Sequence, residues 1–226
     1  MANQHKKKKN SASTITMVTV LILFLALGIY AIVGPLLSGK EEKQASITYT
    51  GMPRIGSDQA PVKIMEYGDF NCPICKQFHD QIYPQLKKDY IDTGKVQMYF
   101  TSLEFLGPNS ETTSQAAESV YKQNPNAFWK FYDAVYNNQG KENENWATPD
   151  FVVSLIKKNI PEVNADQVRK DLQNKTYAQQ VKAHNQIAQK LGFDSVPTVF
   201  INGKIVQNPF DYGAMKKMIA DEMNKK

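Results

Sequence analysis

The sequence predicts an α/β fold whose strands lie at both ends of one domain, with a block of helices set between them. Three observations carry this reading. The run Val62-Lys63-Ile64-Met65-Glu66-Tyr67 reads as a buried strand leading through a helix to a second strand. A long stretch of helical periodicity follows. An Asn202-Gly203 pair then joins two β-rich runs ahead of a closing helix. An uncharged apolar stretch stands in front of all this and predicts a transmembrane helix.

With 226 residues, 42% of them hydrophobic, the chain suits one soluble domain with a sizeable core. The net charge of +5 comes from 27 basic and 22 acidic residues, and Lys6, Lys7, Lys8 and Lys9 account for most of the excess. The remainder is close to neutral, so the basic balance gives no support to nucleic-acid binding. Behind the lysines no charge occurs from Asn10 to Gly39, and residues 15–37 are almost continuously apolar. At about 1.5 Å rise per residue this stretch makes roughly 35 Å of helix, enough to cross a hydrocarbon core of about 30 Å. The lysines place the N-terminus in the cytoplasm and the rest outside. The apolar run exceeds a signal-peptide core and no clear A-x-A site follows it, which favours an uncleaved single-pass anchor over a cleaved signal. The expected organisation is a basic tail (1–14), an anchor (15–37), a linker (38–45), a sheet-bearing domain (46–105 and 190–226) and an inserted helical domain (106–189).

Each element has its own signal. Ile47 to Tyr49 reads as a short edge strand. Pro61 and Gly68 bound the strand over 62–67. A helix starts at Pro73, a residue comfortable at a first helical position, and carries Phe78, Ile82 and Leu86 at helical spacing. Pro84 falls inside that helix and predicts a kink. Val96 to Thr101 is the second strand. Ala117, Val120 and Tyr121, then Phe128, Tyr132, Val135 and Tyr136, mark the long helical stretch. Thr148-Pro149 starts another helix and Asn164 caps a further one. A last helix of the block runs from Thr176 to Leu191 and is closed by Gly192. After Pro197 come two β-rich runs, Thr198 to Ile201 and Lys204 to Val206, joined by Asn202-Gly203, a strong hairpin signal. Residues 211–223 form a closing amphipathic helix with Tyr212, Met215, Ile219 and Met223 on one face. No internal repeat is present.

Cys72-Pro73-Ile74-Cys75 holds the only two cysteines of the chain. A C-x-x-C pair after a strand and opening a helix, outside the cytosol, points to thiol redox chemistry. Free N–H groups and the positive dipole end at a helix N-terminus favour thiolate over thiol. Cys72 is expected as the exposed, reactive sulfur and Cys75, one turn on, as its buried partner. A zinc site lacks two further ligands, and Lys76 in place of His excludes the c-type haem signature. A purely structural disulfide would add little across so short a loop. No other cofactor and no metal is expected beyond this redox-active disulfide. Glu66, in an otherwise buried strand, reads either as a solvated carboxylate or as an acid beneath the thiols that exchanges a proton with Cys75. Pro197 reads either as a trans turn proline or as a cis proline beside the cysteines, with Val196 offering backbone groups to an extended substrate. Pro73 and Ile74 complete the expected substrate-binding surface. His79 reads as a solvated helix residue, and Trp129, Trp146 and the tyrosines of the helical block as core.

These residues resemble the DsbA-like thiol–disulfide oxidoreductases, and most closely the membrane-tethered BdbD type of Gram-positive bacteria. The likeness runs through Ile55-Gly56-Ser57-Asp58-Gln59-Ala60-Pro61-Val62, Glu66-Tyr67-Gly68-Asp69-Phe70-Asn71, the Cys72-Pro73-Ile74-Cys75 motif, and Ser195-Val196-Pro197-Thr198-Val199-Phe200-Ile201-Asn202-Gly203. It spans roughly residues 46–226. The resemblance implies a thioredoxin-like fold interrupted by a helical domain. It also implies disulfide introduction into reduced exported or cell-surface proteins, with reoxidation by a DsbB-type quinone-linked membrane protein. By the same match Cys72 is the nucleophile, Cys75 the resolving cysteine, Glu66 the buried acid and Pro197 the cis proline. The best-known members carry a thiolate-holding His where this chain has Ile74. A reductase or isomerase, or a metal-binding or chaperone module without turnover, are the competing functions. No dimerisation module is evident, so a monomer is expected.

Overall fold

The computed structural model describes residues 19–25, 27–29 and 44–225. The chain divides into two units, residues 1–43 and 44–226. In the first, residues 19–25 and 27–29 are helical. No helix among the described residues is long and apolar enough to cross a membrane. The expected tail, the ends of the 15–37 span and linker residues 38–43 lie outside the described residues.

The second unit is built on a five-stranded sheet of order β1-β3-β2-β4-β5. Its strands are β1 (Arg54–Ile55), β2 (Val62–Gly68), β3 (Val96–Ser102), β4 (Thr198–Ile201) and β5 (Lys204–Ile205). β2 and β3 run parallel, with Glu66 opposite Phe100, and β4 lies antiparallel on the other side of β2, with Val199 opposite Glu66. Both central strands are covered on both faces, which is why they read as nearly unbroken apolar runs. The two-residue period sorts their side chains. Val62, Ile64, Met98, Phe100, Val199 and Ile201 enter one core. Met65, Tyr67, Tyr99 and Phe200 enter a second core on the opposite face. Glu66 has the parity of Val62 and Ile64, so it is aimed at the first core.

Helix α1 (Pro73–Gln81) and the short α2 (Tyr83–Leu86) cover that first face. They part at Ile82, two residues before Pro84, which has no N–H to give and whose ring crowds the preceding turn. A five-residue π-helical turn, Lys87–Ile91, then leads to β3. Between β3 and β4 come α3 (Pro108–Gln123), α4 (Phe128–Asn137), α5 (Pro149–Asn159), α6 (Ala165–Gln173) and α7 (Ala178–Leu191). Asn124-Pro125 divides the long helical stretch into α3 and α4. Thr148 and Asn164 cap α5 and α6 through side-chain oxygens, and Gly192 ends α7 in the left-handed conformation. Val120, Phe128, Phe131, Tyr132 and Val135 of this block share the first core with α1, while Ala188 of α7 lies in the second. The hairpin turns through Asn202 at φ 45° and Gly203 at φ 81°, the left-handed pair that a two-residue turn of this kind needs. Helix α8 (Tyr212–Met223) closes the unit with Met215 and Ile219 inside.

Two expectations are corrected. Residues 47–49 form no strand: Ile47 and Tyr49 pack on the second core without a ladder, while Ala45 N–H reaches the Gly203 carbonyl of the hairpin at 2.8 Å and the Gln44 side-chain amide its Asn202 carbonyl. The edge position belongs to Arg54–Ile55, antiparallel to β3. Met223 faces outward, whereas Glu222 is covered and held by Lys204, Lys225 and Asn202.

Candidate active site

The redox motif sits where β2 passes into α1 on the first-core face. At Gly68 an added Cβ would meet the Phe100 ring at 2.7 Å, so this position lets the ring close over the strand end. Asp69 follows, fully buried. Its carboxylate accepts from the backbone N–H groups of Asn71 (2.8 Å), Phe105 (2.9 Å) and Leu106 (3.1 Å). Burial pushes this carboxyl up and those donors pull it back. Phe70 plugs the core against Phe100, Phe131 and Tyr136, with ring centroids 5.2, 5.7 and 5.1 Å away.

Cys72 occupies the N-cap of α1 with extended backbone, and Pro73 takes the first helical position. Both cysteines are free thiols. Cys75 is fully buried and its sulfur accepts from Asp69 N–H at 3.4 Å. Cys72 was expected as an exposed sulfur, yet only 6% of the residue is accessible. On the side toward β4 the Val196 carbonyl stands 3.8 Å from the Cys72 sulfur, and the Val196–Pro197 bond is cis. Pro73 and Ile74 remain exposed, Ile74 by 44%, so the motif presents an apolar tip beside a nearly covered sulfur. The structure thus brings Cys72, Pro73, Ile74, Cys75, Val196 and Pro197 into one place.

Electrostatics separate the two thiols. Cys72 is lowered to about 7, first because the Cys75 thiol hydrogen-bonds it, then because the N–H groups of Cys75 and Ile74 point at it. Burial and the Asp69 charge act against this. Cys75 is raised well above its ordinary value by burial, by donating to Cys72 and by the charges around it, Glu66 included. This split is the one a redox pair needs: one sulfur held as thiolate near neutrality, the other kept as a thiol.

Glu66 is fully buried on the first-core side of β2, near enough for its charge to act on Cys75. Its Oε2 accepts from the Tyr132 hydroxyl at 2.9 Å, and Oε1 has no hydrogen-bond partner among the described residues. Burial raises the carboxyl to about 8, against the pull of the Tyr132 hydroxyl. His79, read from the sequence as solvated, is buried instead. Its ring lies between Asp80 (2.8 Å) and Asp133 (3.0 Å) and stacks on Tyr83. Among the described residues no three His, Cys, Asp or Glu side chains gather as metal ligands.

Several contributors escaped the sequence reading. Gln139 donates to the carbonyls of Phe70 (2.8 Å) and Cys72 (3.1 Å). Asn71 donates to the carbonyls of Leu106 and Glu142 and accepts from the Trp146 indole at 2.7 Å. Asn109 binds the Glu144 carbonyl and Ala147 N–H. Residues 139–147 are thereby strapped to the redox loop. Trp146, expected as plain core, is part of this strap. The sequence signal was limited to the polar pair Asp69 and Asn71 flanking Phe70 in a buried setting.

Comparison with known proteins agrees with this geometry. A family model described as thioredoxin matches residues 48–221. The chain is 37% identical over 219 residues to the probable disulfide bond formation protein D of Bacillus cereus, covering 96% of this chain and all of that one. It is 32% identical over 188 residues to disulfide bond formation protein D of Bacillus subtilis, covering 83% and 84%. The crystal structure of oxidised BdbD from Bacillus subtilis superposes with a TM-score of 0.77 over 80% of this chain and 98% of that one, at 32% identity. Chlamydia trachomatis DsbA, at 21% identity and a TM-score of 0.70 over 77% and 93%, shares the fold. The chain therefore belongs to the thioredoxin-like family, among the DsbA-like thiol–disulfide oxidoreductases of the disulfide bond formation protein D type.

Proposed function

We propose that this oxidoreductase forms disulfides in reduced exported or cell-surface proteins through Cys72 and Cys75. The observation that carries the reading is the placement of the two thiols at the head of α1, Cys72 at the N-cap against the Val196 carbonyl and Cys75 fully buried behind it. In the resting enzyme the two sulfurs are joined. A substrate thiolate attacks Cys72, forming a mixed disulfide, and Cys75 leaves and takes a proton from the Glu66 carboxyl. A second substrate thiolate then attacks the mixed disulfide and expels Cys72 as thiolate. Two electrons pass from the substrate thiols to the cysteine pair. A low pKa makes Cys72 a good leaving group and stabilises the reduced enzyme, which drives substrate oxidation. Val196, Pro197, Pro73 and Ile74 form the surface against which an extended substrate lies, through backbone contacts on the Val196 side.

The reading includes a place in the cell. The apolar stretch over 15–37, behind four lysines, is a single-pass anchor with the N-terminus in the cytoplasm and the catalytic unit outside. A quinone-linked membrane oxidase of the DsbB kind restores the disulfide, and the catalytic unit works as a monomer. The redox equilibrium of the protein against glutathione buffers tests the direction of flow. A potential near about −120 mV supports an oxidase, and one near about −270 mV means a reductant. Full thiol-oxidising activity in Cys72→Ser would end the scheme.

A further inference from the structure

The sheet, α1 and the cis-proline loop account for the cysteines, but the acid beneath them is held from elsewhere. Glu66 comes from β2, whereas the hydroxyl on its Oε2 comes from α4, inside the helical insertion. We propose that Tyr132 is a positioning residue for the redox reaction: it fixes the Glu66 carboxyl beneath the cysteine pair, stabilises its anion, and so tunes the proton exchange with Cys75. This rests on the reading of Glu66 as the proton partner of Cys75.

The geometry supports the assignment in three ways. Tyr132 and Glu66 are both fully buried, and the 2.9 Å bond is the one hydrogen bond to the carboxyl among the described residues. The Tyr132 ring is wedged among Phe100 (5.0 Å), Trp129 (5.1 Å), Tyr136 (4.9 Å) and Tyr83 (5.3 Å), so the hydroxyl has little freedom to turn away. The phenol itself is kept neutral by burial and by the Glu66 charge, which leaves it a permanent donor. A hydrogen bond from a neutral donor to a buried carboxylate favours the ionised form, and its loss raises the pKa by about one to two units.

The consequence falls on the step in which Cys75 must lose its proton. In reoxidation, the Cys72 thiolate attacks an external disulfide and one thiolate leaves. The Cys75 thiol then passes its proton to the Glu66 carboxylate, and its sulfur attacks Cys72, expelling the second external thiolate. The cysteine disulfide is restored and the external disulfide is reduced by two electrons. Fewer ionised Glu66 carboxylates mean a slower second step.

The experiment uses the full-length chain with glutathione disulfide as oxidant. It follows two quantities against pH: the rate at which the Cys72–glutathione mixed disulfide resolves, and the 13C shift of the Glu66 side-chain carboxyl, assigned by its disappearance in Glu66→Gln. Tyr132→Phe removes one oxygen and keeps the ring. The expected result is that the carboxyl midpoint moves up by about one pH unit or more, and resolution at pH 7 slows about tenfold, one unit being a factor of ten in ionised carboxylate. In Glu66→Gln the inflection vanishes, and adding Tyr132→Phe changes nothing further. If Glu66→Gln removes the inflection but Tyr132→Phe leaves the midpoint in place, the assignment of Tyr132 is overturned while that of Glu66 stands. If Glu66→Gln keeps the inflection, the Glu66 reading fails and Tyr132 has no chemical role through it. Should Tyr132→Phe not fold, Glu66→Asp draws the carboxyl back from the same hydroxyl within an unaltered aromatic core. It is expected to raise the carboxyl midpoint as well, and an unmoved midpoint would count against the proposal.

Discussion

Replacing Glu66 by Gln should change how stability depends on pH more than it changes stability at any one pH. The buried carboxyl titrates at about 8 in the folded chain against 4.5 for an ordinary glutamate. Below the lower value both the folded and unfolded states hold the proton and nothing is lost. As pH rises above it, the unfolded chain releases its proton while the folded chain keeps its own. Stability therefore falls, by about 1.4 kcal/mol per pH unit. The fall reaches about 3 kcal/mol by pH 7 and about 4 kcal/mol by pH 8, where the folded carboxyl ionises too and the curve flattens toward about 5 kcal/mol. Domains of this size are stable by only about 5–15 kcal/mol, so the effect is a large share of the total. Gln has no such slope. Its carbonyl still accepts from Tyr132, but its amide N–H groups lie in a buried site and cost about 1–3 kcal/mol independent of pH. The assay is urea unfolding of the reduced protein at intervals from pH 4.5 to 8, native and variant in parallel. Taking the difference cancels contributions that the two proteins share. That matters because Glu118, raised to about 7 by burial, adds a slope of the same sign, and His184, lowered to about 4, adds one of opposite sign. The expected outcome is that the variant gains about 3 kcal/mol on the native protein between pH 4.5 and 7. A difference that stays flat over that range would refute the claim that Glu66 is protonated in the folded chain at neutral pH.

Further tests use other parts of the same site and core. Alkylation of the reduced protein by iodoacetamide should be half-maximal near pH 7 and level off above it, because the Cys72 thiolate forms there, with mass spectrometry finding Cys75 unmodified until unfolding. A half-maximum near pH 9 would mean the helix terminus and the Cys75 thiol do not hold the thiolate. Gln139→Leu frees the Phe70 and Cys72 carbonyls and should cost about 1–3 kcal/mol in urea unfolding. It should also speed amide exchange in the redox loop, and an unchanged loop would mean the strap is incidental. His184→Gln should remove one component from the acid side of the stability curve, read as the difference between native and variant. The contribution of His184 alone is complete above pH 6.5 and declines as pH falls toward 4, by about 3 kcal/mol, because the unfolded imidazole takes a proton that the buried one refuses. A variant as acid-sensitive as the native chain would place that sensitivity elsewhere.

How far the fold was legible in the sequence follows from what each element depends on. β2 and β3 are covered on both faces, so burial alone wrote them as apolar runs, and Asn202-Gly203 marked its hairpin through local backbone geometry. Thr148, Asn164 and Gly192 announced helix ends for the same local reason. Arg54–Ile55 escaped because it is two residues long and exists only through its pairing with Tyr99 and Met98, some forty positions away. Ile47 and Tyr49 misled in the opposite sense: alternating apolar residues were needed to cover the second core, and no partner strand was there to pair with. Met223 and Glu222 exchanged roles because the carboxylate found Lys204 and Asn202 on the hairpin, a contact that helical periodicity cannot encode.

The site divides along the same line, with a sharper consequence. Cys72, Cys75 and Pro73 are neighbours in the chain, and the parity of Glu66 in β2 follows from counting by twos from Val62, so their placement was open to inspection. Tyr132 and Gln139 act on partners 66 and 67 positions distant, and Trp146 on one 75 positions distant, all across a chain crossing that no local rule describes. In the sequence they are indistinguishable from the packing residues beside them: Tyr132 repeats with Phe128 and Tyr136 at helical spacing, and that spacing is fully explained by burial. What burial does not explain is a hydroxyl at a fully enclosed position of the stripe. A phenol fully buried there costs free energy unless an acceptor waits for it, and the sheet offers one acceptor, the carboxyl of Glu66. The two polar groups are therefore each other's reason for being tolerated inside the core. The helical insertion is then no neutral cover over a finished active site, because without α4 the acid beneath the cysteines would have no hydrogen-bond donor to oppose its burial.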